Sequence, residues 1–111
     1  MTYAKTTEFD IEFQNIANYA KALSHPARVA ILDYLASQNT CVSGDISDKI
    51  PLSRTTVSQH LQELKKAGLI KGTISGTRIY YCLENKNIDE IFSKLTDFTK
   101  KLNGNQAACS I

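Results

Sequence analysis

The sequence predicts a mainly α-helical domain with one β-hairpin set between its fourth and last helices. Apolar residues recur at helical spacing in successive blocks, and the period drops to two over one stretch, Leu69 to Leu83. Ser24-His25-Pro26, Pro51 and Gly68 punctuate the blocks. At 111 residues with 42% of them apolar, the chain suits one compact domain over 1–111, whose core is thin unless a partner chain adds burial. There is no internal repeat, low-complexity block or dividing linker.

Phe9, Phe13, Ile16, Ala20 and Leu23 lay an apolar stripe along a first helix over roughly 9–23. Pro26 suits the first turn of a second helix, where its missing N–H is not required, with Ser24 or His25 at the cap and an end near Ser37. After the polar break Gln38-Asn39-Thr40, the spacing of Val42, Ile46 and Ile50 predicts a short third helix, weakened by Gly44 and ended by Pro51. Ser53 caps a fourth helix whose core side is Val57, Leu61 and Leu64 and whose end is marked by Lys65, Lys66 and Gly68. Its other side carries Thr55, Ser58, Gln59 and Gln62. The hairpin alternates through Ile70, Gly72 and Ile74, turns at Ser75-Gly76, and returns through Ile79, Tyr81 and Leu83. Ile88, Ile91, Phe92, Leu95, Phe98 and Leu102 form the stripe of a last helix, so the core spans about 9–102 and 103–111 is a frayed tail.

Four helices, a hairpin and a helix, with a short turn between the third and fourth, make the layout of a winged helix-turn-helix. The middle helices and the hairpin can bury one another, but the first and last helices each bring another long apolar stripe. A second copy of the chain, paired through those two helices, would cover them.

Net charge is only +2, but its distribution is uneven. Residues 53–82 hold five basic residues against Glu63 alone, whereas the rest of the chain has eight basic and ten acidic. A major groove about 12 Å wide admits one helix, and a helix that enters amino terminus first turns its unpaired N–H groups and positive dipole end toward phosphate. The side chains in position to read duplex DNA are then Ser53, Arg54, Thr55, Thr56, Ser58, Gln59 and His60 of the fourth helix. Arg54 can fork onto guanine and Gln59 can pair with adenine. Lys71 and Arg78 of the wing reach the neighbouring backbone or minor groove.

The stretches Ala22-Leu23-Ser24-His25-Pro26-Ala27-Arg28, Ser53-Arg54-Thr55-Thr56-Val57-Ser58-Gln59-His60-Leu61 and Ala67-Gly68-Leu69-Ile70, followed by Gly76-x-Arg78-x-Tyr80-Tyr81, resemble the ArsR/SmtB family of bacterial regulators. The resemblance covers about residues 9–102. It implies a homodimeric winged helix-turn-helix repressor that leaves its double-stranded operator when an inducer binds. In zinc sensors of the family, ligands are contributed from both ends of the last helix; the matching positions here are Asn85, Asn87, Phe98 and Lys101, so that site is absent. In arsenic sensors a Cys-Val-Cys opens the third helix, and Cys41-Val42-Ser43 keeps the first thiol of that pattern.

Cys41, Cys82 and Cys109 are odd in number and far apart, which offers neither a disulfide framework nor a C-x-x-C zinc site within one chain, so they are read as free thiols. No cofactor is obligatory. Trivalent arsenic or antimony is the expected inducer, held by Cys41 with Cys109 of either subunit; Cys82 is the poorer partner because the sheet fixes it. A redox or persulfide switch joining Cys41 to Cys109 is the alternative, although relatives that work this way place a cysteine where Leu32 stands. A protein-interaction module without DNA binding is a further one, opposed by Arg54, Gln59, Lys71 and Arg78. Catalysis is not expected, since only His25 and His60 are available and no phosphate loop or H-E-x-x-H is present. The start Met1-Thr2-Tyr3-Ala4-Lys5 lacks a secretion signal and no run of about 18 apolar residues exists, which points to the cytoplasm and to no membrane partner.

Overall fold

The computed structural model describes residues 2–43 and 46–104. A 3-10 helix, Thr2–Glu8, precedes α1 (Ile11–Ala22) and α2 (Pro26–Ala36). A two-residue strand β1 (Val42–Ser43) and a 3-10 turn (Ile46–Asp48) lead to α3 (Arg54–Lys66). The hairpin is β2 (Ile70–Ser75) and β3 (Arg78–Leu83), and α4 (Asn85–Asn103) closes the order.

Local chemistry sets the boundaries. His25 is the cap of α2: its Nδ1 accepts from the Ala27 N–H at 3.0 Å, with Pro26 in the first turn. The Ser53 hydroxyl accepts from the Thr56 N–H at 3.2 Å and opens α3. Gly68, at φ +82, ends it. The N–H of Leu69 donates to the Leu64 carbonyl at 3.1 Å and that of Gly68 to Lys65 at 3.0 Å, the paired bonds of a Schellman motif. In the hairpin Ser75 faces Arg78, so the loop is Gly76-Thr77, with Gly76 at φ +65 in the first central position as a II′ turn requires.

The expected third helix is not a helix. Val42 and Ser43 pair with Tyr81 and Tyr80, which satisfies their backbone groups in an antiparallel ladder and adds an edge to the hairpin in the order β1-β3-β2. Residues 46–48 form a single 3-10 turn, with Lys49 N–H donating to the Ile46 carbonyl at 2.9 Å. Ile46 and Ile50 are nonetheless buried, so their apolar spacing was a core signal served by a strand and a turn.

The core lies between α2, α3 and the base of the sheet: Ile31, Leu35, Val57, Leu61, Leu64, Leu69 and Ile70, closed by Ile91 of α4. Beyond it the wing projects, and Ile74 and Ile79 near its tip are exposed. Ile11 and Phe13 of α1 and Phe92 and Leu102 of α4 are also exposed. The radius of gyration is 17.1 Å, against about 13 Å for a compact domain of this length. No helix among the described residues is long and apolar enough to cross a membrane.

Candidate nucleic-acid interface

α3 sorts its side chains by the helical period. Val57, His60, Leu61 and Leu64 are buried, and Thr55, Ser58, Gln59 and Gln62 are exposed together on the opposite side. Arg54 and Ser53 are exposed at the amino-terminal turn. The Ser53 hydroxyl also donates to Thr56 Oγ1 at 2.9 Å, so these two side chains are engaged in the cap and Thr56 is half-buried. Glu63, the one acidic residue of this segment, pairs with Lys66 at 3.6 Å near the far end of the helix, about 13 Å from Arg54 at 1.5 Å per residue. The leading turn therefore combines a cation, short hydroxyls, an amide and the positive end of the helix dipole.

His60 is not part of that surface. It is 8% exposed, and its Nδ1 accepts from Arg28 Nε at 3.1 Å. Its ring centroid lies 4.4 Å from that of His25, and Arg28 also donates through Nη1 to the Lys21 carbonyl at 3.1 Å. The carboxy end of α1, the cap of α2 and the middle of α3 are thus tied through one imidazole and one guanidinium. Burial foremost, then the His25 ring and the Arg28 charge, lowers the His60 pKa below the ordinary imidazole value. A sequence signal for this existed: positions 57, 60, 61 and 64 form a stripe at i, i+3, i+4 and i+7.

On the wing, Lys71 and Arg78 are exposed and share a hairpin face with Thr73, Ser75, Tyr80 and Cys82. Cys82 faces Lys71 on one side. On the other it meets Cys41. The pairing of Val42 with Tyr81 puts Cys41 opposite Cys82, their Cα atoms are 4.6 Å apart, and a disulfide joins them. Neither is therefore a free thiol, and Cys82, the cysteine expected to be the poorer partner, is the one bonded to Cys41. The sheet register that fixes Cys82 is what brings it into reach, since directly opposed antiparallel residues lie about 4.5–5.5 Å apart. The missed signal was β1 itself, read as helix. Cys109 lies outside the described residues. Cys41, Cys82 and Lys71 line a cavity of about 430 Å³ together with Gln38, Asn39 and Asn85. Among the described residues, no three His, Cys, Asp or Glu side chains converge as a metal cluster.

A helix-turn-helix domain family matches residues 23–73, from just after α1 into β2. An HTH-type transcriptional regulator of Methanocaldococcus jannaschii is 34% identical over 86 residues, 78% of this chain and 96% of its own length. The transcriptional repressor SdpR of Bacillus subtilis is 33% identical over 84 residues, 76% of this chain and 92% of its own. A solution structure from Mycobacterium bovis, described as a homodimeric winged helix-turn-helix DNA-binding domain and a possible ArsR-family regulator, superposes with a TM-score of 0.61 at 28% identity, covering 89% and 90% of the two chains. The chain belongs to the ArsR/SmtB family of transcriptional regulators. As an ArsR/SmtB member it is a winged helix-turn-helix regulator that binds DNA, and not an enzyme. In ArsR/SmtB terms α3 is the helix after the turn and β2–β3 the wing, the two elements that carry Arg54, Thr55, Ser58, Gln59, Lys71 and Arg78.

Proposed function

We propose that this chain is a homodimeric transcriptional repressor that reads an operator with α3 and clamps it with the wing. Arg54 and Gln59 would contact base edges, Thr55 and Ser58 bases or phosphate, and Lys71 and Arg78 the backbone flanking the groove. Ser53 and Thr56 would act chiefly by holding the leading turn, whose N–H groups face phosphate. The observation that carries this reading is the sorting of α3: its apolar residues and His60 are buried, and its short polar side chains are exposed together beside Arg54. Pairing of two copies through α1 and α4 would set two recognition helices one helical turn of DNA apart, about 34 Å.

For the inducer we propose a soft, thiophilic ion, trivalent arsenic or antimony, bound through Cys41. Such ions favour two or three thiolates. Reduced Cys41 has Cys82 directly across the ladder as a second donor, and Cys109 is the further thiol of the chain. Binding beside β1 would pull on the segment that leads into the turn before α3, and it releases DNA only if the ion prefers the DNA-incompetent dimer. The test is a gel shift of the reduced protein on a duplex recovered by in vitro selection. Arsenite should release that duplex from the wild type, and equal release from Cys41→Ser would refute the assignment. Affinity that does not fall with salt would refute the DNA reading itself, because phosphate contacts release counterions.

A further inference from the structure

We infer that Cys41 and Cys82 form a reversible dithiol–disulfide couple that sets how firmly the wing is held against the helix-turn-helix. This rests on the DNA-reading surface proposed above and not on the identity of the inducer. Three observations carry it. The two residues are opposed across the β1–β3 ladder with Cα atoms 4.6 Å apart, a separation that a disulfide spans without backbone movement. Among the described residues the ladder they cap has two residue pairs, Val42 with Tyr81 and Ser43 with Tyr80, so the bond adds a covalent tie beside a short described ladder. Finally, the bond joins residues 41 apart in sequence and closes a loop that contains α3, β2 and β3 as far as Cys82, hence every side chain assigned to DNA.

The pair is also reachable. Cys41 is exposed, Cys82 is half-buried, and both open on the 430 Å³ cavity that Lys71 lines. That asymmetry assigns the order of attack. The oxidant is a low-molecular-weight disulfide, RSSR. The Cys41 thiolate attacks one of its sulfurs, forming a mixed disulfide and expelling one thiolate. Cys82, held directly opposite, then attacks the Cys41 sulfur, forming the Cys41–Cys82 bond and expelling the second thiolate. The protein gives up two electrons and two protons, and RSSR becomes two RSH. Lys71, the register partner of Cys82, places a cation on the same face, which favours attack as thiolate.

Oxidation fixes β1 against β3 and so holds Lys71 and Arg78 in a set position relative to α3 before DNA arrives. Reduction leaves that position to the short ladder. Pre-organisation of this kind lowers the ordering cost of binding, so the oxidised form should hold DNA more tightly.

The full-length protein is equilibrated in buffers of set oxidised-to-reduced glutathione ratio, quenched with a maleimide and analysed by intact mass and peptide mapping. In parallel, its affinity for a duplex recovered by in vitro selection is measured at each ratio. The expected result is a chain with one maleimide-reactive thiol, a Cys41–Cys82 peptide link and at least about threefold tighter DNA binding when oxidised, the redox dependence being absent in Cys82→Ser. Three reactive thiols at every ratio, a glutathione adduct that does not resolve, or a link to Cys109 would each overturn the couple. Equal affinity of the two wild-type forms would overturn the control of the wing. If the bond forms but neither form binds any selected duplex, the thiol couple stands and the DNA-reading proposal fails.

Discussion

Arg28 donates to His60 Nδ1, so neutral His60 must carry its proton on Nε2, and a second proton can be accepted only by giving up that bond. With the His60 pKa lowered in the fold, the unfolded chain takes up a proton on this residue that the folded chain refuses. Its stabilising effect is complete above the unfolded value, about pH 6.5. Below that it is lost progressively until the pH reaches the lowered folded value, at up to about 1.4 kcal/mol for each pH unit crossed. Thermal melting of His60→Gln, which keeps an acceptor for Arg28, should therefore change less between neutral and mildly acid pH than melting of the wild type. Parallel losses in both would show that another group is responsible. On the opposite side of α3, Arg54→Ala should weaken specific binding by about 1–3 kcal/mol and relax discrimination at one base position. Lys71→Ala on the wing should weaken all sequences alike and lower the salt slope by about one. Binding titrations against matched and shuffled duplexes at several salt concentrations separate the two, and interchangeable effects would mean that Arg54 is also only a phosphate contact.

Where an element begins and ends was legible wherever one residue type satisfies a backbone requirement that others do not. Gly68 is the sharpest case. Its φ of +82 lets two N–H groups reach back to Leu64 and Lys65, and a Cβ there would also lie 3.3 Å from Asn87 Nδ2 of α4. Gly68→Ala should cost about 1–2 kcal/mol from the left-handed backbone alone, with Gly68→Asn losing less because Asn tolerates that region. Urea unfolding of both variants measures this, and an unaffected Gly68→Ala would mean that the junction into β2 relaxes. The Ser53 cap, the Pro26 start and the hairpin were legible for similar reasons, as was the exposed polar side of α3. What was not legible depends on residues distant in sequence. Val42 and Ser43 extend because Tyr80 and Tyr81 offer them a ladder, and an i, i+4 spacing of Val42, Ile46 and Ile50 cannot reveal that. Misreading β1 hid the register, and with it the meeting of Cys41 and Cys82. His60 was a different failure: its residue type suggested DNA, while its place in the buried stripe of α3 already opposed that reading.

The whole molecule is longer and thinner than its length calls for, 60 × 35 × 26 Å, and α1 and α4 contribute little to its buried core. Ala22 is the only residue of α1 in the buried core, and Ile91 the only one of α4. Ile11 and Phe13 on one helix and Phe92 and Leu102 on the other remain exposed, and large exposed apolar areas are uncommon on a monomer. A two-fold pairing of these helices would bury both faces at once and fix the spacing of the two α3 helices, so assembly and DNA recognition should fail together. Phe13→Glu puts a charge on that face, at a residue that is 48% exposed in the single chain and outside the buried core set, so the isolated fold should survive. Its circular dichroism should match the wild type, while light scattering should report a single subunit where the wild type gives two. Binding to a two-half-site duplex should then weaken by about 100-fold or more, since the second α3 no longer acts at high effective concentration. Binding to a duplex with one half-site should change little. A variant that stays dimeric, or a monomer that holds the two-half-site duplex as well as the wild type does, would separate the apolar faces from operator recognition and remove the reason for placing them at the subunit interface.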